Sequence, residues 1–118
     1  MAANNWHMAE EGGHRVAKDK LTVVAKIKAK PGMEAQVKEE LLALVAPARK
    51  EPGCLNYDLH QALDDKSLFV FCENWVSKKD LDEHLQMPYL QAFLGKVDQL
   101  LAQPVDITLW EMVSSPAK

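Results

Sequence analysis

The sequence contains little cysteine: Cys54 and Cys72 are the only two among 118 residues. In the hairpin predicted below, a turn near Asp64 and Asp65 places Cys54 opposite residue 75 or 76, so the two thiols are too far apart for a disulfide. There is no CxxC motif and no histidine close by at ligand spacing, so a structural zinc site is not indicated. We therefore expect two buried free thiols and no metal.

An excess of positive charge is also missing. The 14 lysines and arginines are interspersed with 17 aspartates and glutamates, the formal net charge is −3, and the pI is about 5.8. Such a chain has no long-range attraction for phosphate backbones. The longest apolar run is far shorter than the roughly 20 residues of a membrane span, and no basic segment followed by an apolar run opens the chain. We expect a cytoplasmic protein that binds neither nucleic acid nor membrane.

The length predicts a single hydrophobic core, and the 47% hydrophobic and 26% charged fractions are those of an ordinary globular protein. Residues 1–19 have no apolar period and are predicted to form a flexible tail, in which His7 and His14 do not make a metal motif. We expect the folded domain at residues 20–113 and a second short tail at 114–118.

Apolar periodicity predicts four strands and two helical regions. Alternation predicts strands at residues 21–30, 54–61, 68–76 and 105–110, the middle two forming a hairpin. Apolar residues at helical spacing predict one helix from about residue 33, with a kink at Pro47, that ends before Pro52 and Gly53. A second helical region begins after an N-cap at Ser77, restarts at Pro88 and ends before residue 104.

The order strand, helix, strand, strand, helix, strand predicts an α+β, ferredoxin-like fold, a split βαβ arrangement in which two helices cover one face of a four-stranded antiparallel sheet. The third strand is apolar on both faces, with Leu68, Val70 and Cys72 on the side away from Phe71 and Trp75. It is therefore expected at the centre of the sheet. A second copy of the chain is the simplest cover for the outer face, so we predict a homodimer formed through that face.

Four stretches of the chain resemble the antibiotic-biosynthesis-monooxygenase family, and especially its quinol-monooxygenase-like branch: Leu21–Ile27 with Pro31 and Gly32, Glu51–Tyr57, Glu73–Trp75, and His84–Tyr89. The resemblance covers residues 21–113. It implies a dimeric α+β barrel with a largely apolar pocket between sheet and helices. It also implies a monooxygenase that uses dioxygen as co-substrate, without metal or flavin, to oxidise a quinol, a polycyclic phenol or an anthrone. Such an aromatic substrate becomes able to reduce dioxygen once it has lost a proton.

His84 is the candidate base, because histidine is the side chain suited to take up a proton near neutral pH and this one falls on the inner stripe of its helix. Glu73 is the second candidate catalytic residue. Tyr89 and Glu73 are placed to hydrogen-bond the substrate oxygens or to orient His84. The structural alternative is that His84 is a hydrogen-bonded core residue and that Glu73 pairs with a lysine at a strand edge.

The predicted hairpin register places Tyr57 near Glu73 and Leu55 near Trp75 on one face. Trp75, Phe71 and Tyr57 are therefore candidates to stack against a flat aromatic substrate. Their alternative role is as ordinary core residues.

The sequence leaves three alternative functions to compare with the oxygenase. A branch of the family that processes a phosphorylated signalling molecule needs a cation at the pocket, and the only arginines are Arg15 and Arg49. The haem-degrading branch relies on an asparagine, a tryptophan and a histidine, but here Ala25 and His84 take the first two positions and no further histidine follows in the helices. A non-catalytic dimer that binds a hydrophobic ligand would use the same pocket.

Overall fold

The chain is seen in a computed structural model that describes residues 20–115. The tail predicted at residues 1–19, with His7 and His14, and residues 116–118 of the second predicted tail lie outside the described residues. The described elements are β1 (Leu21–Lys28), α1 (Glu34–Arg49), β2 (Cys54–Gln61), β3 (Leu68–Trp75), α2 (Lys78–Leu85), α3 (Pro88–Leu94), α4 (Val97–Leu100) and β4 (Asp106–Glu111).

The four strands form one antiparallel sheet in the order β2-β3-β1-β4. This confirms the ferredoxin-like α+β prediction and the central position of β3. Alternation decides which side chains face the helices: Val23, Ala25 and Ile27 of β1 are buried, while Lys26 between them is exposed. The core therefore lies between the sheet and α1 to α4. None of the helices among residues 20–115 is long and apolar enough to cross a membrane.

The β2–β3 hairpin has the predicted register along most of its length. Cys54 pairs with Trp75 and Tyr57 pairs with Glu73. The predicted proximity of Leu55 to Trp75 is wrong, because a register shift between residues 54 and 56 takes Leu55 out of the ladder and leaves its side chain about half exposed. A bulge of this kind adds an unpaired residue to one strand and turns its side chain away.

The two cysteines are free, as predicted, but they are only partly buried. Cys72 lies on the outer face of β3, opposite Val24 of β1 and Asp58 of β2. Burial and the nearby Glu51 raise the pKa of the Cys54 thiol to about 11, so this thiol is protonated at neutral pH.

The second helical region is divided into three helices. Ser77 caps α2 as predicted, with its Oγ accepting from the Asp80 backbone N–H at 3.2 Å. Pro88 begins α3, and α3 ends at Gly95, a residue with low helix propensity. The first helix, in contrast, continues through Pro47 to Arg49.

The loop between α1 and β2 packs tightly against the start of α2. A Cβ atom placed on Gly53 would overlap the side chain of Asp80, including the Asp80 Cβ. A glycine at this position thus allows the loop to approach the capped end of α2. The same loop carries Glu51.

Gly53→Ala is expected to destabilise the protein by about 1–3 kcal/mol, since the new methyl group must displace the Asp80 side chain, which accepts a hydrogen bond from the hydroxyl of the capping Ser77. Gly95→Ala is the matched control. Its Cβ would meet only backbone oxygens at 3.5 Å and 3.6 Å, so it is expected to be neutral or stabilising by up to about 1 kcal/mol. Urea unfolding of the two variants tests this; equal stabilities would contradict it.

Candidate active site

His84 is held inside the domain by side chains from two other segments. It is a buried residue of α2, with 2% of its surface exposed. Its Nδ1 lies 2.8 Å from Glu51 Oε2, and the Tyr89 hydroxyl lies 3.3 Å from the same nitrogen while donating a short hydrogen bond to Glu51 Oε2. The loop after α1, the end of α2 and the start of α3 therefore meet at one imidazole.

This arrangement selects the state of the imidazole ring. A carboxylate only accepts hydrogen bonds, so in the neutral ring Nδ1 carries the proton and donates it to Glu51. Among residues 20–115 no group hydrogen-bonds Nε2, which retains its lone pair. A histidine oriented in this way can accept a proton at Nε2, and Glu51 stabilises the imidazolium that forms.

Glu51 is the site residue that sequence reasoning missed as a functional group. The sequence stretch Glu51–Tyr57 was noted only as part of a family pattern, and the prediction gave the orienting role to Glu73 or Tyr89. In the structure the Tyr89 hydroxyl lies within hydrogen-bond distance of His84 Nδ1, whereas the hydrogen bond of Glu73 is to Trp75. The available signal was a carboxylate directly before Pro52 and Gly53 at the end of α1, yet nothing in the local pattern shows that this loop reaches α2.

Glu73 is a buried carboxyl group on β3 with its own partner. Trp75 Nε1 donates to Glu73 Oε1 at 2.9 Å, and the Glu73 side chain is 4% exposed. Burial, together with the negative charge of Glu51, raises the pKa of Glu73 to about 7, although the Trp75 hydrogen bond acts in the opposite direction. Glu73 therefore exists in both protonation states near neutral pH.

Aromatic side chains surround these polar groups. The Tyr57 and Phe71 ring centroids are 4.5 Å apart, and His84 lies 5.3 Å from Tyr57 and 4.6 Å from Trp75. Burial and the neighbouring Glu73 raise the pKa of the Tyr57 hydroxyl, so it stays a neutral phenol. The predicted group of Tyr57, Phe71, Trp75 and His84 is therefore brought together.

A cavity of about 60 Å³ lies between this group and the helices. Three side chains in its wall are polar, Tyr57, Glu73 and His84, and the others are apolar. Phe71 lines the cavity, whereas Trp75 and Tyr89 do not: Trp75 lies behind Glu73, and Tyr89 lies on the Nδ1 side of His84. The cavity is smaller than the roughly 150 Å³ that holds benzene in an engineered protein core, so its walls must move apart to admit an aromatic ring.

The wall of the cavity contains no lysine or arginine. Arg49 is engaged elsewhere, with its Nε donating to the Tyr57 carbonyl oxygen at 3.1 Å and its Nη2 to Asp58 at 2.8 Å. Within the described part of the chain, no cluster of three or more His, Cys, Asp or Glu side chains is arranged to hold a metal ion.

With this fold and site, the chain belongs to the antibiotic biosynthesis monooxygenase family, whose model matches residues 20–96. It is 33% identical over 89 residues to "Putative monooxygenase Rv0793" of Mycobacterium tuberculosis, covering 75% of this chain and 87% of the relative. It is 31% identical over 83 residues to "Probable quinol monooxygenase YgiN" of Escherichia coli, covering 62% and 80%.

Solved structures agree with this assignment. The crystal structure of PA3566 from Pseudomonas aeruginosa has a TM-score of 0.79 and 37% identity, covering 83% of this chain and 98% of that one. The structure of Rv0793 has a TM-score of 0.77 and 28% identity, covering 83% and 99%. The predicted family and fold are thereby confirmed, and the relatives named as monooxygenases support a monooxygenase-like function.

Glu73→Gln is expected to stabilise the protein at high pH. The folded-state pKa of Glu73 is raised from 4.5 to about 7, so ionisation costs the folded state. Stability is lost as pH rises from about 4.5 to 7, by a total of about 3 kcal/mol. The neutral glutamine keeps an oxygen that accepts the Trp75 hydrogen bond, and it has no ionisation to reduce the stability of the folded state.

Urea unfolding at pH 4.5 and pH 8 measures the difference between variant and wild type. We expect the variant to gain relative stability only at pH 8. The control is Glu39→Gln, the same change at an exposed helical position. It should change the free energy of unfolding by less than about 0.5 kcal/mol at either pH. A variant less stable than wild type at pH 8 would contradict the raised pKa.

Proposed function

We propose that the protein is a cofactor-independent monooxygenase that oxidises a quinol, or a related phenol or anthrone, with dioxygen. The observation that carries the proposal is a buried histidine in the wall of a largely apolar cavity, whose Nδ1 is fixed by a carboxylate and whose Nε2 has no hydrogen-bond partner among residues 20–115. This is the geometry of a general base aimed at a bound hydroxyl group. The names of the M. tuberculosis and E. coli relatives support the reaction class.

In the proposed reaction His84 Nε2 takes the proton of the substrate hydroxyl, and Glu51 stabilises the imidazolium. The resulting anion gives one electron to dioxygen, and the substrate radical and superoxide combine to form a peroxide at a ring carbon. His84 returns its proton to the peroxide, and loss of water leaves a carbonyl group. One oxygen atom ends in the product and the other in water, so dioxygen is the only oxidant required.

The apolar wall contributes by excluding water. A developing anion and its reaction with dioxygen are sensitive to competing hydrogen bonds from solvent, and the apolar wall around the polar end of the cavity limits these. Glu73 and Tyr57 are then the remaining polar groups that contact the substrate. Glu73 in its protonated state and the neutral Tyr57 phenol can each donate a hydrogen bond to a substrate oxygen.

Two alternatives use the same cavity. A phosphorylated substrate is not favoured, because no lysine or arginine lines the wall and Arg49 is bonded to Tyr57 and Asp58. A non-catalytic module that binds a hydrophobic ligand explains the apolar wall, but it gives no account of the orientation of His84 by Glu51.

His84→Gln is expected to lower kcat for oxygen uptake by about 10²- to 10⁴-fold, the usual contribution of a general base. Uptake is followed with metal-free protein across a panel of hydroquinones and anthrones. His60→Gln is the matched control, because His60 is exposed on the opposite face of the sheet; since that face is also the proposed dimer face, light scattering checks that this variant keeps the wild-type mass. The proposal fails if wild type shows no uptake above buffer across the panel, or if both variants match wild type.

We also propose that the protein works as a homodimer formed through the outer face of the sheet. On that face Leu68, Val70 and Cys72 of β3 are only partly covered in the single chain. Val70 lies between Lys26 and His60 in the neighbouring strands, at the middle of the face. This partly exposed apolar strip supports the proposal, because a second copy of the chain would bury it.

Val70→Lys is expected to convert the dimer to a monomer. A second lysine beside Lys26 would be buried without a partner, at a cost of several kcal/mol. Light scattering of wild type, Val70→Lys and the control Leu63→Lys measures the mass of each. Leu63 is 93% exposed, so its variant should remain dimeric; a monomeric wild type would refute the proposal.

A further inference from the structure

The cavity has polar groups at one end only, and the sheet order explains why. Tyr57 of β2 pairs with Glu73 of β3, and His84 packs against Tyr57 and Trp75. The polar atoms therefore lie under β2 and β3. Beyond them, across β1, the wall is formed by apolar side chains as far as β4.

The β4 end of the cavity lies at the surface. Ile107 lines the cavity and pairs with Ala25 of β1, yet it is 43% exposed because β4 is an edge strand. Leu94 of α3 lines the same end and is 38% exposed. Leu109, the next helix-facing residue of β4, is 47% exposed and extends this apolar rim.

The polar end carries atoms without partners. Among residues 20–115 nothing hydrogen-bonds His84 Nε2 or the Tyr57 hydroxyl, and Trp75 contacts only one of the two Glu73 oxygens. All three side chains are at least 95% buried. Buried polar atoms normally have partners, so these three groups call for hydrogen bonds from water or from a ligand in the cavity, and a ligand with polar oxygens at this end can replace the water.

From β3 to β4 the sheet spans two strand spacings, about 10 Å. A single aromatic ring bound at the polar end does not reach the β4 rim. A substituent on that ring does, and because every group along this path is apolar, the substituent must be apolar too.

We propose that the ligand of this cavity is an amphiphilic phenol. The proposal rests on the proposed function only because it concerns the same cavity, and it does not depend on the oxidation reaction. Its ring carries two oxygens, which contact His84, Glu73 and Tyr57 beneath β2 and β3. Its alkyl or isoprenoid substituent crosses β1 and leaves the cavity between Leu94 and Ile107.

The first experiment measures binding alone. Resorcinol and 5-pentylresorcinol are suitable probes, since a 1,3-diol cannot be dehydrogenated directly to a quinone and removal of dioxygen prevents its oxygenation. Isothermal titration calorimetry under argon is expected to show that 5-pentylresorcinol binds at least tenfold more tightly than resorcinol. Each buried methylene group increases the affinity about fourfold. The dimethyl ether of 5-pentylresorcinol, which has the same tail but no hydroxyl donors, should bind at least tenfold more weakly than the diol.

Rim variants then test the path of the tail. Ile107→Ser and Leu94→Ser are expected to reduce the ratio of the two affinities at least threefold, whereas Leu63→Ser, at the distant hairpin turn, should keep the wild-type ratio. Equal binding of the two probes, or a ratio unchanged in both rim variants, overturns the proposal. The proposal is also overturned if a rim variant changes the oligomeric mass but not the ratio of affinities, because a second copy of the chain would then cover the rim.

Oxygen uptake with hydroquinone, measured in parallel, separates this proposal from the proposed reaction. A preference for the alkylated diol without any uptake would support the ligand class and refute the monooxygenase. Uptake without a preference for the alkylated diol would refute the ligand class and leave the reaction standing.

Discussion

The hydrogen bond between Glu51 and His84 is the contact on which the rest of the site depends. It joins a loop to a helix across 33 residues of sequence and places both groups away from water. Leaving a buried hydrogen-bonding group without its partner typically costs about 1–3 kcal/mol. The Tyr89 hydroxyl shares the same carboxylate oxygen and so ties the start of α3 to the pair.

The close approach of Gly53 to α2 is what makes this contact possible. A side chain at residue 53 would push the loop away from Asp80 and the helix start, and Glu51 would move with it. The N-cap at Ser77 fixes where α2 begins, and Leu81 and His84, three residues apart, lie on its buried face. The contact between Glu51 and His84 thus joins a tight loop to a capped helix.

The two buried carboxyl groups have different surroundings and can therefore perform different tasks. Glu51 accepts hydrogen bonds from two side chains, whereas Glu73 accepts one from Trp75 and faces an apolar cavity. Their mutual repulsion adds to the effect of burial and raises the pKa of Glu73. Separation of two similar groups by environment is a common way to obtain one orienting anion and one proton donor.

The sequence by itself determined the strands, the helical regions, the sheet arrangement and the pairing of Tyr57 with Glu73. Those features follow from alternation, helical spacing and turn residues, which are local properties of the chain. It also singled out His84, Phe71 and Trp75. Only the tertiary structure decided that Glu51, not Glu73, orients His84, that Leu55 leaves the ladder, and that Trp75 and Tyr89 stand behind the cavity wall. These depend on contacts between segments distant along the chain, whose approach is set by packing rather than by any local pattern.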